Sequence, residues 1–415
     1  MRVLHVHNHY RSRLPSGENK VVEFERRELG SRGVDVVAFD AYNDDVEDAS
    51  TLDKARTVLN PITGGDQRRR VRDVLERQRP DLVHIHNVYP LISPRIIEEA
   101  KRRNIPVVHT VHNFRHGCMA GTLFRDGQPC RNCIDTKWPI AGLRHRCASN
   151  SMALSASMML SQRFISPLWK QADTIIAISG TVKNYLIEQG FQPDRIVVNY
   201  HGVPDRFEER PTIGEARSSA SGFVVASRLD ASKGLLTLLD GWERSGLDGR
   251  TRLTLIGDGE LTAELRDRSA RFASVALLGR LNSDDLAEQF DQHAVIVVPS
   301  IWEEPFGLTA VEAMASGRPV LATTAGALAE LVDDSVGWSV PPTVDGLARG
   351  LVMAHGASAQ ERAHKGSAGR ARYEATFRPE HSTMRLIDIY RSAVAGTPIA
   401  QTPRAEHVNA VKEAS

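Results

Sequence analysis

Two carboxylates eight positions apart, Glu304 and Glu312, lie in the stretch PSIWEEPFGLTAVEAMASGRPV. Glu304 follows an apolar run, Val295 to Val298, and Pro305-Phe306-Gly307 then breaks the chain. A helix is predicted from Leu308, with Glu312 in its first turns. The free N–H groups of a helix start attract an anion, and carboxylates beside them accept hydrogen bonds from sugar hydroxyls. Such a segment suits a ligand that is both phosphate and sugar. The same acids would also serve as plain complements to the helix dipole, so the decision rests on their neighbours.

Further polar residues fall where apolar runs end, which is where open α/β sheets bind ligands. Arg228 closes one run and Lys233-Gly234 opens the helix after it, a pair of cations suited to a diphosphate. Gly257-Asp258-Gly259-Glu260 ends the next run, and Gly279-Arg280 the one after. Gly279 allows close approach to a flat base, with Arg280 flanking it. Ser16-Gly17-Glu18 stands at a predicted helix start, ready for an anion or serving as a simple cap. His112 ends another run, placed for a sugar hydroxyl or a leaving phosphate. His84 and His86 read as packed strand residues.

All four cysteines, Cys118, Cys130, Cys133 and Cys147, lie in one segment with the spacing C-x11-C-x2-C-x13-C. In a chain expected to be cytosolic, disulfides are disfavoured, and four thiolates around a CxxC knuckle suit structural zinc. Unpaired thiols are the alternative. The loop is too long for an ordinary connection and needs a staple or a partner.

The elements that must position these residues are short apolar runs alternating with amphipathic stretches. In the first half, strands are predicted at 3–7, 35–39, 81–86, 106–111, 174–178 and 196–200, with helices at 20–31, 67–78, 94–103, 152–171 and 181–189. In the second half, strands are predicted at 223–226, 253–256, 275–278, 295–298, 320–322 and 337–340, with helices at 235–244, 261–272 and 308–315. Near-continuous apolar strands separated by helices indicate buried parallel sheets. A length of 415 residues favours two domains. The expectation is an α/β chain of two facing Rossmann-like domains with ligands in the cleft between them. Residues 1–203, with a cysteine-bearing insert at 114–148, form the first. Residues 204–378 form the second, 379–395 a last helix, and 396–415 a disordered tail. Gly202, Pro204 and Pro211 mark the hinge.

A formal net charge of +1 gives no argument for nucleic acid. The segment 101–147 is locally basic, which fits a phosphate-bearing substrate, an anionic membrane surface or a solvated face. Met1 leads almost directly into a strand, without the apolar stretch of a secretory signal, and no apolar run would span a bilayer. The protein is expected in the cytoplasm, with peripheral contact at the inner membrane face open.

EEPFGLTAVEAMASGRPV, SRLDASKG and GDGE together resemble the retaining glycosyltransferases of family 4, which have the GT-B fold. The likeness covers the chain to about Ala395. It implies a UDP- or GDP-sugar co-substrate and a saccharide or lipid-linked acceptor, in surface polysaccharide or glycolipid assembly. Glu304 would contact the donor sugar and Glu312 the ribose. Arg228 and Lys233 would hold the diphosphate without a catalytic metal, assisted by the backbone of Gly307 and Leu308. His112 would touch the sugar or phosphate, and Gly17 would let its loop approach the diphosphate. The last helix would cross back onto the first domain. One departure is Ser16, where the family often has a first glycine. A sugar-nucleotide epimerase on the same fold, and a non-catalytic zinc-bearing scaffold, are the competing readings.

Overall fold

The computed structural model describes residues 1–12, 17–46, 51–134, 136, 138–208 and 220–399. Ser16, Pro211 and most of the expected tail lie outside these. The chain divides into two compact units. The first comprises Met1–Leu123, Arg131–His201 and the residues from Ser382 on; the second comprises Phe124–Cys130 and Gly202–His381.

The first unit is built on a six-stranded parallel sheet: β1 (Arg2–His9), β2 (Asp35–Tyr42), β3 (Leu82–Ile85), β4 (Val107–Val111), β7 (Thr174–Ala177) and β8 (Ile196–Val198), in the order β2-β1-β3-β4-β7-β8. β3, β4 and β7 are buried at every residue, as strands covered on both faces must be. Val3, Leu82, Val108, Ile176 and Val197 pack there with Leu29 and with Leu386 and Tyr390 of the helix Pro379–Ala395.

The second unit holds β9 (Phe223–Ala226), β10 (Leu253–Ile256), β11 (Val275–Gly279), β12 (Val295–Val298), β13 (Val320–Thr323) and β14 (Gly337–Val340), ordered β11-β10-β9-β12-β13-β14 and all parallel. Counted within the unit this is 3-2-1-4-5-6, the doubly wound order whose direction reverses between β9 and β12. Trp242, fully buried, packs edge-on against Phe223 in its core. A two-stranded antiparallel ribbon, β5 (Phe124–Arg125) and β6 (Gln128–Pro129), also falls in this unit.

The twelve sheet strands stand where the apolar runs place them, within about two or three residues at each end. The helix expected over 152–171 is instead an α-helix, Met152–Phe164, followed by a 3-10 segment, Ser166–Gln171. Pro167 lacks the N–H that a continuing helix needs and restricts Ser166 before it. The helices expected at 94–103 and 261–272 shorten to Ile96–Lys101 and Thr262–Ser269. Helices at Thr51–Thr63, Ser283–Gln292, Val344–Gly356 and Ala359–Arg372 are additions to the expected set. Among the described residues, no helix is long and apolar enough to cross a membrane.

Candidate functional site

In the second unit the carboxyl ends of β9 and β12 flank the reversal in strand order, where such sheets bind ligands. Residues 227–234 leave β9. Asp230 accepts from Ser232 N at 3.0 Å and starts a single 3-10 turn, Ala231–Lys233. Gly234 then turns in the left-handed region (φ 70°) so close to Pro299 O that a Cβ would not fit. Lys233 is thereby aimed at residues after β12. Its Nζ lies 2.5 Å from Glu304 Oε1 and 4.9 Å from the centroid of the Trp302 ring. Ser300 Oγ donates to the same carboxylate oxygen at 2.8 Å. Glu304 is 6% exposed, so this is a desolvated cation–carboxylate pair rather than a surface one.

The backbone of Glu304 is fixed as well. Ala327 N donates to Glu304 O at 2.8 Å. Gly326, at φ 61°, passes so close that a Cβ would clash with Glu304 N and O. Gly307 (φ 106°) turns the chain into the helix Leu308–Ala315, so Leu308 supplies its first N–H. Glu312 sits on that helix, 3.9 Å from Arg206 Nη1. Arg228 is half-exposed and paired with Asp230. Burial would raise the Asp230 carboxyl, but Arg228 and the Ser232 hydroxyl hold it below the usual carboxylate range.

The structure therefore gathers Lys233 and Glu304 directly, and places Arg228, Gly307, Leu308 and Glu312 on the flanking segments. The Gly257-x-Gly259 turn has a packing reason of its own. Gly257 (φ 143°) and Gly259 let the end of β10 press against the Ser227 and Leu229 carbonyls. Gly279 ends β11 with open space where a Cβ would be, and Arg280 beside it is exposed.

In the first unit His112 follows β4 and lines a pocket with His86, Asn87, His109, Arg115 and Trp169. His112 Nε2 lies 2.9 Å from His86 Nδ1, and its ring stacks on His201 at 5.2 Å between centroids. Burial, with His201 adding, lowers the His112 pKa well below the ordinary imidazole value, so it is a neutral donor or acceptor. Glu18 faces the same pocket. Its Oε2 accepts from Tyr10 Oη at 3.1 Å and from Asn113 Nδ2 at 3.2 Å, while its buried Oε1 has no hydrogen-bond partner among the described residues. Burial pushes its carboxyl up to about 7, opposed by Arg115. Glu18, Asn113 and Arg115 line this pocket; the sequence named Glu18 only within the Ser16-Gly17-Glu18 helix start, and did not place Asn113 or Arg115 in a site. Gly17 is the exposed first residue of the helix Gly17–Ser31.

No disulfide joins the four cysteines. Among the described residues, the group of metal-type side chains with converging ligand atoms is His5, Glu25, His84 and His86, not the cysteines. A tyrosine fastens the start of the cysteine-bearing segment. Tyr185 Oη donates to Phe114 O and accepts from Gly117 N, both at 2.6 Å.

The family model described as "Glycosyltransferase Family 4" matches residues 15–207, and that described as "Glycosyl transferases group 1" matches 220–355. An uncharacterized glycosyltransferase of Methanocaldococcus jannaschii is 27% identical over 43% of this chain and 49% of its own. This chain thus spans about half the length of that relative. The glycogen synthase of Mycobacterium tuberculosis is 26% identical over 79% of this chain and 73% of its own. Among solved structures, Anabaena HepE in complex with UDP and glucose superimposes with a TM-score of 0.62 at 18% identity, covering 94% of this chain and 99% of that one.

Proposed function

We propose, from the premise that this chain belongs to glycosyltransferase family 4 and has the GT-B fold, that it moves a sugar from a nucleoside diphosphate sugar to a saccharide or lipid-linked acceptor with retention at the anomeric carbon. The observation that carries this reading is the Lys233–Glu304 pair at the reversal point of the second sheet. In the free protein each group neutralises the other. An arriving diphosphate competes for Lys233 and releases Glu304 to accept from donor-sugar hydroxyls.

In this reading Arg228 joins Lys233 on the diphosphate, and the N–H groups at Gly307 and Leu308 receive a phosphate oxygen. Glu312 takes the ribose, and Gly257, Gly279 and Arg280 border the base. The bond between the anomeric carbon and the diphosphate oxygen breaks, and its electron pair leaves with the diphosphate. Lys233 and Arg228 stabilise that growing charge. The acceptor hydroxyl oxygen bonds to the same carbon from the same face, and its proton passes to the departing diphosphate. His112, neutral, donates to or accepts from the sugar, and Gly17 admits the diphosphate near its loop.

UDP-sugars are the first donors to test, because HepE was solved with UDP and glucose. A surface-polysaccharide acceptor is favoured by a relative named as a lipopolysaccharide N-acetylglucosaminetransferase. Glu304→Ala and Lys233→Ala should abolish transfer while the circular dichroism spectrum stays native. Full activity in both would overturn the assignment.

A further inference from the structure

β1 and β3 run side by side with His5 opposite His84, and His86 follows on the same face. A buried sheet face normally carries aliphatic side chains. Here three imidazoles line it, and Glu25 of the helix Gly17–Ser31 reaches them. We propose that His5, His84, His86 and Glu25 form a structural site for one divalent transition-metal ion of the zinc class, tying that helix to β1 and β3.

Spacing is the first argument. The four ligand atoms lie within 4.8 Å of one another. Glu25 Oε1 is 3.3 Å from His86 Nε2 and 3.5 Å from His84 Nδ1. A tetrahedral ion with bonds of about 2.0–2.1 Å sets its ligand atoms roughly 3.3 Å apart.

Unused bonding capacity is the second. Among the described residues, His5 Nδ1, His86 Nε2 and Glu25 Oε1 are buried without a hydrogen-bond partner. Buried polar atoms are rarely left so, and three such atoms within 4.8 Å of one another suit a shared Lewis acid.

The third is the outer layer. Each histidine's other nitrogen is engaged: His5 Nε2 with Tyr390 Oη at 2.9 Å, His84 Nε2 with Thr110 Oγ1 at 2.7 Å, and His86 Nδ1 with His112 Nε2 at 2.9 Å. Metal-bound imidazoles are oriented by such partners on the far nitrogen. Tyr390 Oη also lies 2.6 Å from His84 Nδ1. A bound ion takes that lone pair and leaves the hydroxyl to His5. Three imidazoles and one carboxylate suit Zn2+, Co2+ or Ni2+, and four protein ligands leave no open position for catalysis.

The test uses the full chain, stripped of metal and titrated with Co2+ and Zn2+. About one ion per chain should bind, with the visible absorption of four-coordinate Co2+ and a higher melting temperature. His86→Gln and Glu25→Gln should lose that absorption, and Thr110→Val should weaken binding about 10–100-fold. Replacing all four cysteines by serine should leave it intact. Glu25→Gln, which keeps the side chain's shape, decides the matter if a histidine variant fails to fold. The absence of saturable binding, which is the outcome for an ion-free polar network, overturns the proposal. So does binding that survives Glu25→Gln or disappears only with the cysteines.

Discussion

Lys233 and Glu304 satisfy each other in a largely dry setting, so removing one leaves a costly remainder. Lys233→Met strands a carboxylate with Ser300 as its neutral hydrogen-bond partner, and breaking such a pair costs on the order of 3 kcal/mol. Adding Glu304→Gln should restore most of that stability in urea denaturation, yet leave transfer absent. Recovery of activity together with stability would mean that the pair only holds the fold. Glu18 offers a second measurement at this scale. Burial raises its folded-state carboxyl to about 7, against 4.5 for the ordinary group. Between those values the folded protein keeps a proton that the unfolded chain has released. The contribution of Glu18 is therefore full at low pH and lost as pH rises through about 7. Melting temperatures recorded from about pH 5 to about pH 8 should show this fall, and Glu18→Gln should flatten it. Identical slopes in the two proteins would contradict the shift.

At the scale of elements, the loops at strand ends depend on backbone approaches that tolerate no side chain. Gly326→Ala forces a Cβ onto the Glu304 backbone at a left-handed φ. It should cost roughly 1–3 kcal/mol and lower transfer as well. Gly356→Ala, which meets open space, is the control and should change little. Tyr185→Phe removes both hydrogen bonds that close the loop at 114–117. A loss of about 1–3 kcal/mol, with faster hydrogen exchange at Gly117, is expected. These loops also mark how far the sequence could be read. Val295–Val298 and Leu253–Ile256 were legible because an apolar run bounded by turn residues has few other fates. The helix Ser283–Gln292 was not identified, although Asn282 caps it through the N–H groups of Asp284 and Asp285; its polar surface masks a face that buries only Ala287 and Phe290. Lys233 and Glu304 each stood out in the sequence as candidates, but not as partners, because they lie 71 positions apart. The histidine face was missed for a different reason. Alternating His5, His7 and His9 look like strand residues, and Glu25 looks like a solvent charge on a helix, until the fold buries them together.

For the whole molecule, the proposed donor site is assembled from segments that meet only at the reversal of the second sheet's 3-2-1-4-5-6 order, so a donor bound there should stabilise the folded unit by mass action. A nucleotide sugar at about 100 times its Kd adds about 2.7 kcal/mol, visible as a raised melting temperature. A screen of UDP-, GDP-, ADP- and dTDP-sugars should show one base class doing this. No shift with any of them would count against the donor reading. The first unit has a further property: its chain is interrupted. Its core draws Leu386, Ile387, Ile389 and Tyr390 from beyond the second unit. On the ribosome these residues follow the intervening segment 202–381, about 180 residues, which takes roughly 10–35 s to make at typical bacterial and eukaryotic rates. Throughout that interval Val3, Leu82 and Val108 lack their final cover. The unit whose translation begins first therefore cannot complete its core until the second unit's segment has been made, and a nascent chain stalled before residue 382 is a natural client for chaperones.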